Sequence, residues 1–279
     1  MDILDKEAEK IYNVFQSFEL SLNAFKSNED YLHQKRLALD PFIFESLKLL
    51  YSSQLREHWN NVPIPYVSDK AIVIVERRCH GNLEFILHNL AYFARDYTIH
   101  IFCSEANIFF IKTICGPQFK NIHIHIIFKN IGTPEEGKTE YNKLLKTSNF
   151  WNFLKEEHIL TVETDCYLLQ NIPESIYDYD YVASSWAWYP SEPGGGGLSY
   201  RKRSMMLKIC ELDNPLLHNS TMQDSFSSTG IKLLGGKYSH NFFTESAFIE
   251  NPIGTHQWWT FYRTDYTKDI IKDYLTLKL

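Results

Sequence analysis

From Lys70 onward, short apolar runs alternate with amphipathic stretches, and this alternation constrains the fold more than any other feature of the chain. AIVIVE (71–76), TIHIFC (98–103) and NIHIHIIF (121–128) read as strands. LEFILHNLAYFARD (83–96), the segment 105–115 and the segment 141–155 read as helices, the last after a polar loop at 130–140. A strand–helix succession of this kind predicts a mainly parallel sheet covered on both faces. In such sheets, ligands bind at the carboxyl ends of the strands.

The next strand, HILTV (158–162), runs out into Glu163, Thr164 and Asp165. A carboxylate inside a buried strand is costly unless paired, so the two acids belong where the strand meets solvent. Two residues apart on a strand, they share a face and together can hold a hard divalent cation, Mg2+ or Mn2+. The same residues can equally form an acidic turn. His123 and His125, alternating with isoleucines, invite a metal reading too, but period-two polar residues are what a half-exposed strand needs, and that reading is set aside.

Residues 1–66 carry apolar positions at helical spacing (Ile11, Phe15, Phe18, then Phe44, Leu47, Tyr51, Leu55) and read as a helical extension. Asp40-Pro41 suggests an N-cap followed by a first-turn proline for the second helix. Residues 67–259 form the expected catalytic domain, and 260–279 a helical tail with Ile270, Ile271, Tyr274 and Leu275 on one side. DYDYVASSWAWY (178–189) reads as a further strand, and the four glycines 194–197 as a loop entering a helix. Bare backbone of that kind suits close approach to a phosphate or sugar. The spacing fits neither a dinucleotide fingerprint nor a P-loop.

A net charge of −6 lacks the basic excess of a nucleic-acid-binding domain. Five cysteines without CxxC spacing read as reduced, buried thiols. With no apolar run of membrane-spanning length and an acidic, polar start, the expectation is a cytoplasmic protein without an integral membrane segment. Oligomeric state is not legible.

VIVERRCHGNLEFILHNLAYF (73–93), YNKLLKTSNFWNFL with HILTVETD (141–165), YDYVASSWAW (179–188), GGGGLSYRKRSMM (194–206), the Asp224 segment and NPIGTHQWW (251–259) occur in an order that resembles glycosyltransferases of the GT-A type. More narrowly, they resemble a poorly characterised domain-of-unknown-function family of nucleotide-sugar glycosyltransferases. The resemblance spans roughly residues 70–259 and implies an α/β, Rossmann-type sheet and a metal-dependent transfer of sugar from a nucleotide donor, a UDP-sugar by expectation, to a hydroxyl of a glycan or other acceptor. It implies Asp165 as first metal ligand, with Glu163 and His256 completing the site, Glu163-Thr164-Asp165 being an ExD form of the DxD signature. Glu76 and Arg77 would meet the nucleotide, with Thr164 beside them. Gly195, Gly196, Gly197 and Arg201 would line the donor cleft, Gly195 standing where asparagine is expected. Asp224 would take the acceptor proton. Trp186 and Trp188 suit either sugar stacking or core packing. The alternatives are a non-catalytic nucleotide-sugar-binding module on the same fold, or a nucleotidyltransferase, which the missing basic glycine-rich signature disfavours. The motifs do not choose between inversion and retention.

Overall fold

The computed structural model describes residues 2–20, 27–261 and 267–279. Two helices, α1 (Ile3–Leu20) and α2 (Asn28–Asn61), precede the alternating region. There follow β1 (Lys70–Val75), α3 (Leu83–Phe93), β2 (Thr98–Ser104), α4 (Ile108–Cys115), β3 (His123–Phe128), α5 (Pro134–Leu145), α6 (Ser148–Phe153), β4 (His158–Val162) and β5 (Cys166–Leu168). The second half holds β6 (Tyr181–Ser184), β7 (Gly195–Lys202), α7 (Arg203–Cys210), α8 (Pro215–His218), α9 (Gln223–Leu233), β8 (Tyr238–Ser239), β9 (Phe243–Thr244), β10 (Gly254–His256), α10 (Trp258–Phe261) and α11 (Lys268–Leu275).

Among the described residues a seven-stranded sheet has the order β3-β2-β1-β4-β7-β6-β8. β3, β2, β1 and β4 are mutually parallel, and β7 runs antiparallel to both β4 and β6. A small second sheet, β5-β10-β9, stands beside it. The molecule is therefore an α/β protein with a mainly parallel central sheet flanked by helices and preceded by two more, in agreement with the strand–helix alternation of the sequence. Period-two side-chain alternation divides the core: Ile72 and Ile74 of β1 face one cluster, Ala71 and Val73 the other. The first cluster runs without a break from Ala8 and Phe15 through Leu39 and Phe44 to Ile271 and Leu275. The N-terminal helices thus share their core with the sheet. Phe44 of α2 meets Phe85, Tyr167 and Trp259 edge-on at 6.0–6.1 Å.

Several local expectations are corrected. Asp40 does not cap a helix, because α2 starts at the Ser27 cap and continues through Pro41. A proline inside a helix forfeits a backbone hydrogen bond, and the burial of Leu39, Ile43, Phe44 and Leu47 around it offsets the loss. The expected helix 141–155 begins earlier, at Thr133-Pro134, where Thr133 and Glu136 form a reciprocal capping box, and it breaks before α6. The strand expected over 178–189 ends at Ser184, and Trp186 and Tyr189 close a turn. In the C-terminal tail α10 ends at Phe261, α11 starts at Lys268, and 262–266 lie outside the described residues. Cys79 is exposed rather than buried, and all five thiols are free.

The glycines are the largest departure. Gly195, Gly196 and Gly197 lie in β7, not in a loop, and all three are buried. The β6–β7 pairing jumps from Ala183↔Ser199 to Ser184↔Gly195, so several residues of β7 bulge out of register. Glycine in a strand commonly marks such a bulge and a close approach of other groups.

Candidate active site

Three segments converge at the carboxyl end of β4. Glu163, Thr164 and Asp165 form the turn from β4 into β5, so the acids leave the sheet at its ligand edge rather than sharing one strand face. His256 ends β10, which is paired to β5 with His256 opposite Cys166. This pairing across the small sheet brings residues ninety apart in sequence together. His256 Nε2 lies 3.3 Å from Asp165 Oδ1 and 3.8 Å from Glu163 Oε2. Its Nδ1 lies 3.0 Å from Glu245 Oε1 without hydrogen-bond alignment. Gln257, next in the chain, adopts φ 32° and donates its backbone N–H to the Asp165 carbonyl at 3.1 Å. Strain of this kind is sustained where surrounding structure demands it, often at functional sites.

The carboxylates are held by cations. Arg36, on α2, reaches Asp165 Oδ2 at 2.5 Å. Burial alone would raise the Asp165 carboxyl, but the charges of His256 and Arg36 hold it well below the usual carboxylate range. Burial raises Glu163; His256 pulls it back and the Asp165 charge pushes it further up. Burial would favour neutral His256, yet Asp165 and Glu245 raise its affinity for a proton well above the ordinary value. Asp40, 3.2 Å from the Asn82 amide, is pushed up to about 6 by burial and by Asp165. Two carboxylates at one point thus compel compensation, here by the Arg36 guanidinium and the His256 ring, whose Nε2 also meets the Gln257 amide nitrogen at 2.7 Å.

Asp165 offers a carboxylate oxygen and His256 an imidazole nitrogen, donors of the kinds that first-row divalent ions accept, and the Glu163 carboxylate stands 3.8 Å from the same ring. The Cys166 thiol also borders the cluster, but burial raises it and its S–H donates to the Gly197 carbonyl at 3.2 Å.

The glycines of β7 are the floor of this site. A Cβ on Gly197 would stand 2.2–2.5 Å from three atoms of the His256 ring. On Gly195 it would meet the Glu245 carboxylate at 2.5 Å and Trp186 Nε1 at 3.0 Å, and on Gly196 the Gln223 amide at 2.4 Å and Arg201 at 2.6 Å. The bare backbone therefore accommodates the protein's own polar side chains. Gly194, at φ 103°, needs glycine for a second reason, since a Cβ there would overlap the Ser184 carbonyl.

The remaining expected residues divide. Asp224, in the first turn of α9, borders Gly196; burial and, further down, the Glu245 charge raise its carboxyl, against the pull of the Ser225 N–H. Arg201 is fully buried and donates to Ser199, Ser227 and Gln223 oxygens at 2.9, 3.2 and 2.5 Å, between the rings of Trp151 and Tyr181. Arg77 points away from the cluster: its guanidinium bonds the Asn130 carbonyl and Glu140 and lies over Phe128. Its neighbour Arg78 faces the cluster instead. Glu76 grips Arg78 through backbone and guanidinium at 2.7–2.8 Å, and the Thr164 hydroxyl donates to Glu76 at 3.3 Å. Arg78 is half-exposed and carries the influence of Asp165 and Glu163.

Sequence reasoning missed Arg36, Arg78, Glu245 and Tyr141, whose hydroxyl lies beside Glu163. Only Arg78 had a signal: adjacent residues leaving a strand point opposite ways, so in VERR either arginine could face the ligand edge.

Among known families, one described as a protein of unknown function, DUF5672, matches residues 123–256. No curated protein matches. Among solved structures, the mannosyltransferase PcManGT from Pyrobaculum calidifontis, in complex with GDP-Man and Mn2+, is similar at 13% identity and a TM-score of 0.42 over 74% of this chain. The match covers 65% of that protein, so the present chain spans just under two thirds of its length.

Proposed function

We propose that this protein is a metal-dependent glycosyltransferase that moves a sugar from a nucleoside-diphosphate donor to a hydroxyl of a glycan or another acceptor. The observation that carries the reading is the convergence of Glu163, Asp165 and His256 at the carboxyl end of β4, with Arg36 and Arg78 beside them. In this reading the two carboxylates and His256 hold a divalent cation, which supplies Lewis-acid neutralisation of a leaving diphosphate. Arg78, pre-oriented by Glu76 and Thr164, binds phosphate oxygens through its guanidinium fork. Arg36 releases Asp165 and turns its own charge toward the same phosphates. Bound to a cation, His256 would be neutral, with a ring lone pair toward the ion, because a metal-ligating imidazole must be neutral. Asp224 accepts the proton of the acceptor hydroxyl. Its raised carboxyl makes it a stronger base than a solvated aspartate. Trp188, half-exposed and tilted against Phe261 at 5.6 Å, offers a face on which an acceptor sugar can stack.

Thermal-shift measurements with UDP-, GDP- and CMP-sugars, with and without Mn2+, test the reading. One donor is expected to stabilise the protein only with Mn2+, and Asp165→Ala to abolish that response. Asp224→Asn is expected to keep donor binding and lose transfer. Flat responses to every donor would overturn the proposal, and undiminished transfer by Asp224→Asn would remove that residue as base.

A further inference from the structure

A second cluster of ligating groups lies at the opposite end of the sheet. Glu156 lies two residues before β4 and Glu163 immediately follows it, so at strand rise the clusters stand about 20 Å apart. His100 of β2 and His123 of β3 are register partners on neighbouring parallel strands, their rings stacked 4.4 Å apart at 17°. His100 Nε2 is 3.0 Å from Glu156 Oε1, and His100 Nδ1 is 3.0 Å from His125 Nε2. His123 Nε2 is 2.9 Å from the Tyr66 carbonyl. One ligand atom from each of His100, His123 and Glu156 can be chosen so that all lie within 4.8 Å of one another.

The hydrogen bonds determine which nitrogens carry protons. A carbonyl only accepts, so His123 Nε2 is the protonated nitrogen of the neutral ring, and Nδ1 keeps its lone pair. A carboxylate likewise only accepts, so without an ion His100 Nε2 carries the proton it donates to Glu156; an ion between the two would take that proton's place, leaving the ring's remaining proton on Nδ1 toward His125 Nε2. Each imidazole then has one nitrogen for a cation and the other anchored by a backbone or side-chain acceptor, the arrangement that orients metal-bound histidines. The Glu156 carboxylate is oriented in turn by the Thr98 hydroxyl at 3.0 Å and the Lys155 N–H at 2.9 Å. Around a tetrahedral ion bound at about 2.0–2.1 Å, ligand atoms stand about 3.3 Å apart. The 3.0 Å between His100 Nε2 and Glu156 Oε1 is close to that span. His123 and His125 are half-buried on the edge strand, so an ion has a path in.

We propose that His100, His123 and Glu156 form a second cation site, distinct from the Glu163–Asp165–His256 cluster and suited to an imidazole-preferring divalent ion such as Zn2+. Bound there, the ion ties edge strand β3 to β2 and to the chain entering β4. Alternation along β3 invited a metal reading of His123 without carrying it, because the other two ligands come from β2 and from the turn before β4.

Co2+ titration of the protein tests the site, since a nitrogen–oxygen tetrahedral site gives visible d–d absorption. Wild type is expected to take up one equivalent with a band that Zn2+ bleaches. His123→Ala is expected to lose the band, with at least a 100-fold weaker Co2+ affinity, and Asp165→Asn to keep it. Should His123→Ala fail to fold, His123→Asn serves the same comparison. No band in wild type, a band that survives the His123 substitution, or one lost in Asp165→Asn would overturn the proposal.

Discussion

Replacing Gly197 by alanine tests whether the bare backbone of β7 exists to seat His256. The added Cβ would lie 2.2, 2.4 and 2.5 Å from Cε1, Nε2 and Nδ1 of the ring, whereas ordinary contact begins at 3.4 Å. The ring must therefore retreat by about 1 Å, and it is backed by Glu245 on one side and Asp165 on the other. Overpacking of this kind costs about 1–3 kcal/mol, which for a chain of this size lowers Tm by about 3–10 °C. A displacement of about 1 Å in a positioned ligand costs about 100-fold in function. Gly137, inside α5 with open space where its Cβ would go, is the control. Gly137→Ala should be neutral or stabilise by about 0.5–1 kcal/mol, as expected for a helix interior. Calorimetry and Mn2+ titration of both variants decide the matter. A Gly197→Ala protein with wild-type Tm and wild-type Mn2+ affinity would refute the reasoning.

Arg77→Ala and Arg78→Ala should separate fold from binding. The former strips partners from the Asn130 carbonyl and should cost about 1–3 kcal/mol in urea denaturation. The latter leaves the buried Glu76 carboxylate without its guanidinium and should also cost stability, but it alone should weaken nucleoside-diphosphate binding at least tenfold in calorimetric titration. Arg36→Met should tighten bare Mn2+ binding several-fold, because the guanidinium competes with the ion for Asp165; weaker binding would show that Arg36 supports the ion instead. Burial, with a smaller contribution from Arg56, depresses His88 to about 4 from 6.5. A folded-state imidazole that resists protonation leaves stability intact above pH 6.5 and erodes it as pH falls toward 4, by about 2.5 kcal/mol at pH 4.5. His88→Gln should lack this loss when urea unfolding is compared at pH 7.0 and 4.5, and an equal loss in both proteins would contradict the assignment.

Strand–helix alternation made the parallel half of the sheet legible, because β1, β2 and β4 are buried apolar runs, β3 is a half-exposed apolar one, and helices connect them in turn. The ligand edge followed from it, and so did the position of Glu163 and Asp165. What depended on tertiary pairing was not legible. β7 is antiparallel and rich in glycine, so it carries no strand propensity, and its glycines answer to His256, Glu245 and Gln223 from elsewhere in the chain. Arg36 sits on a helix with no motif around it, and only the packing of α2 against α3 and α10 delivers it to Asp165. Of the two arginines in VERR, Arg77 turns its guanidinium to Asn130 and Glu140, away from Glu163 and Asp165, and Arg78 turns toward them, a choice that strand alternation alone leaves open. The zinc-type cluster needed the β2–β3 register, which no single strand discloses.

The account turns on a divalent cation at Glu163, Asp165 and His256, and electron paramagnetic resonance titration of Mn2+ measures its binding directly. The account predicts that wild type binds one equivalent at pH 7.5, more tightly when a nucleoside diphosphate is present, and that Asp165→Ala loses this equivalent while remaining folded. Equal Mn2+ uptake by wild type and Asp165→Ala, or none by wild type with or without the diphosphate, would contradict it.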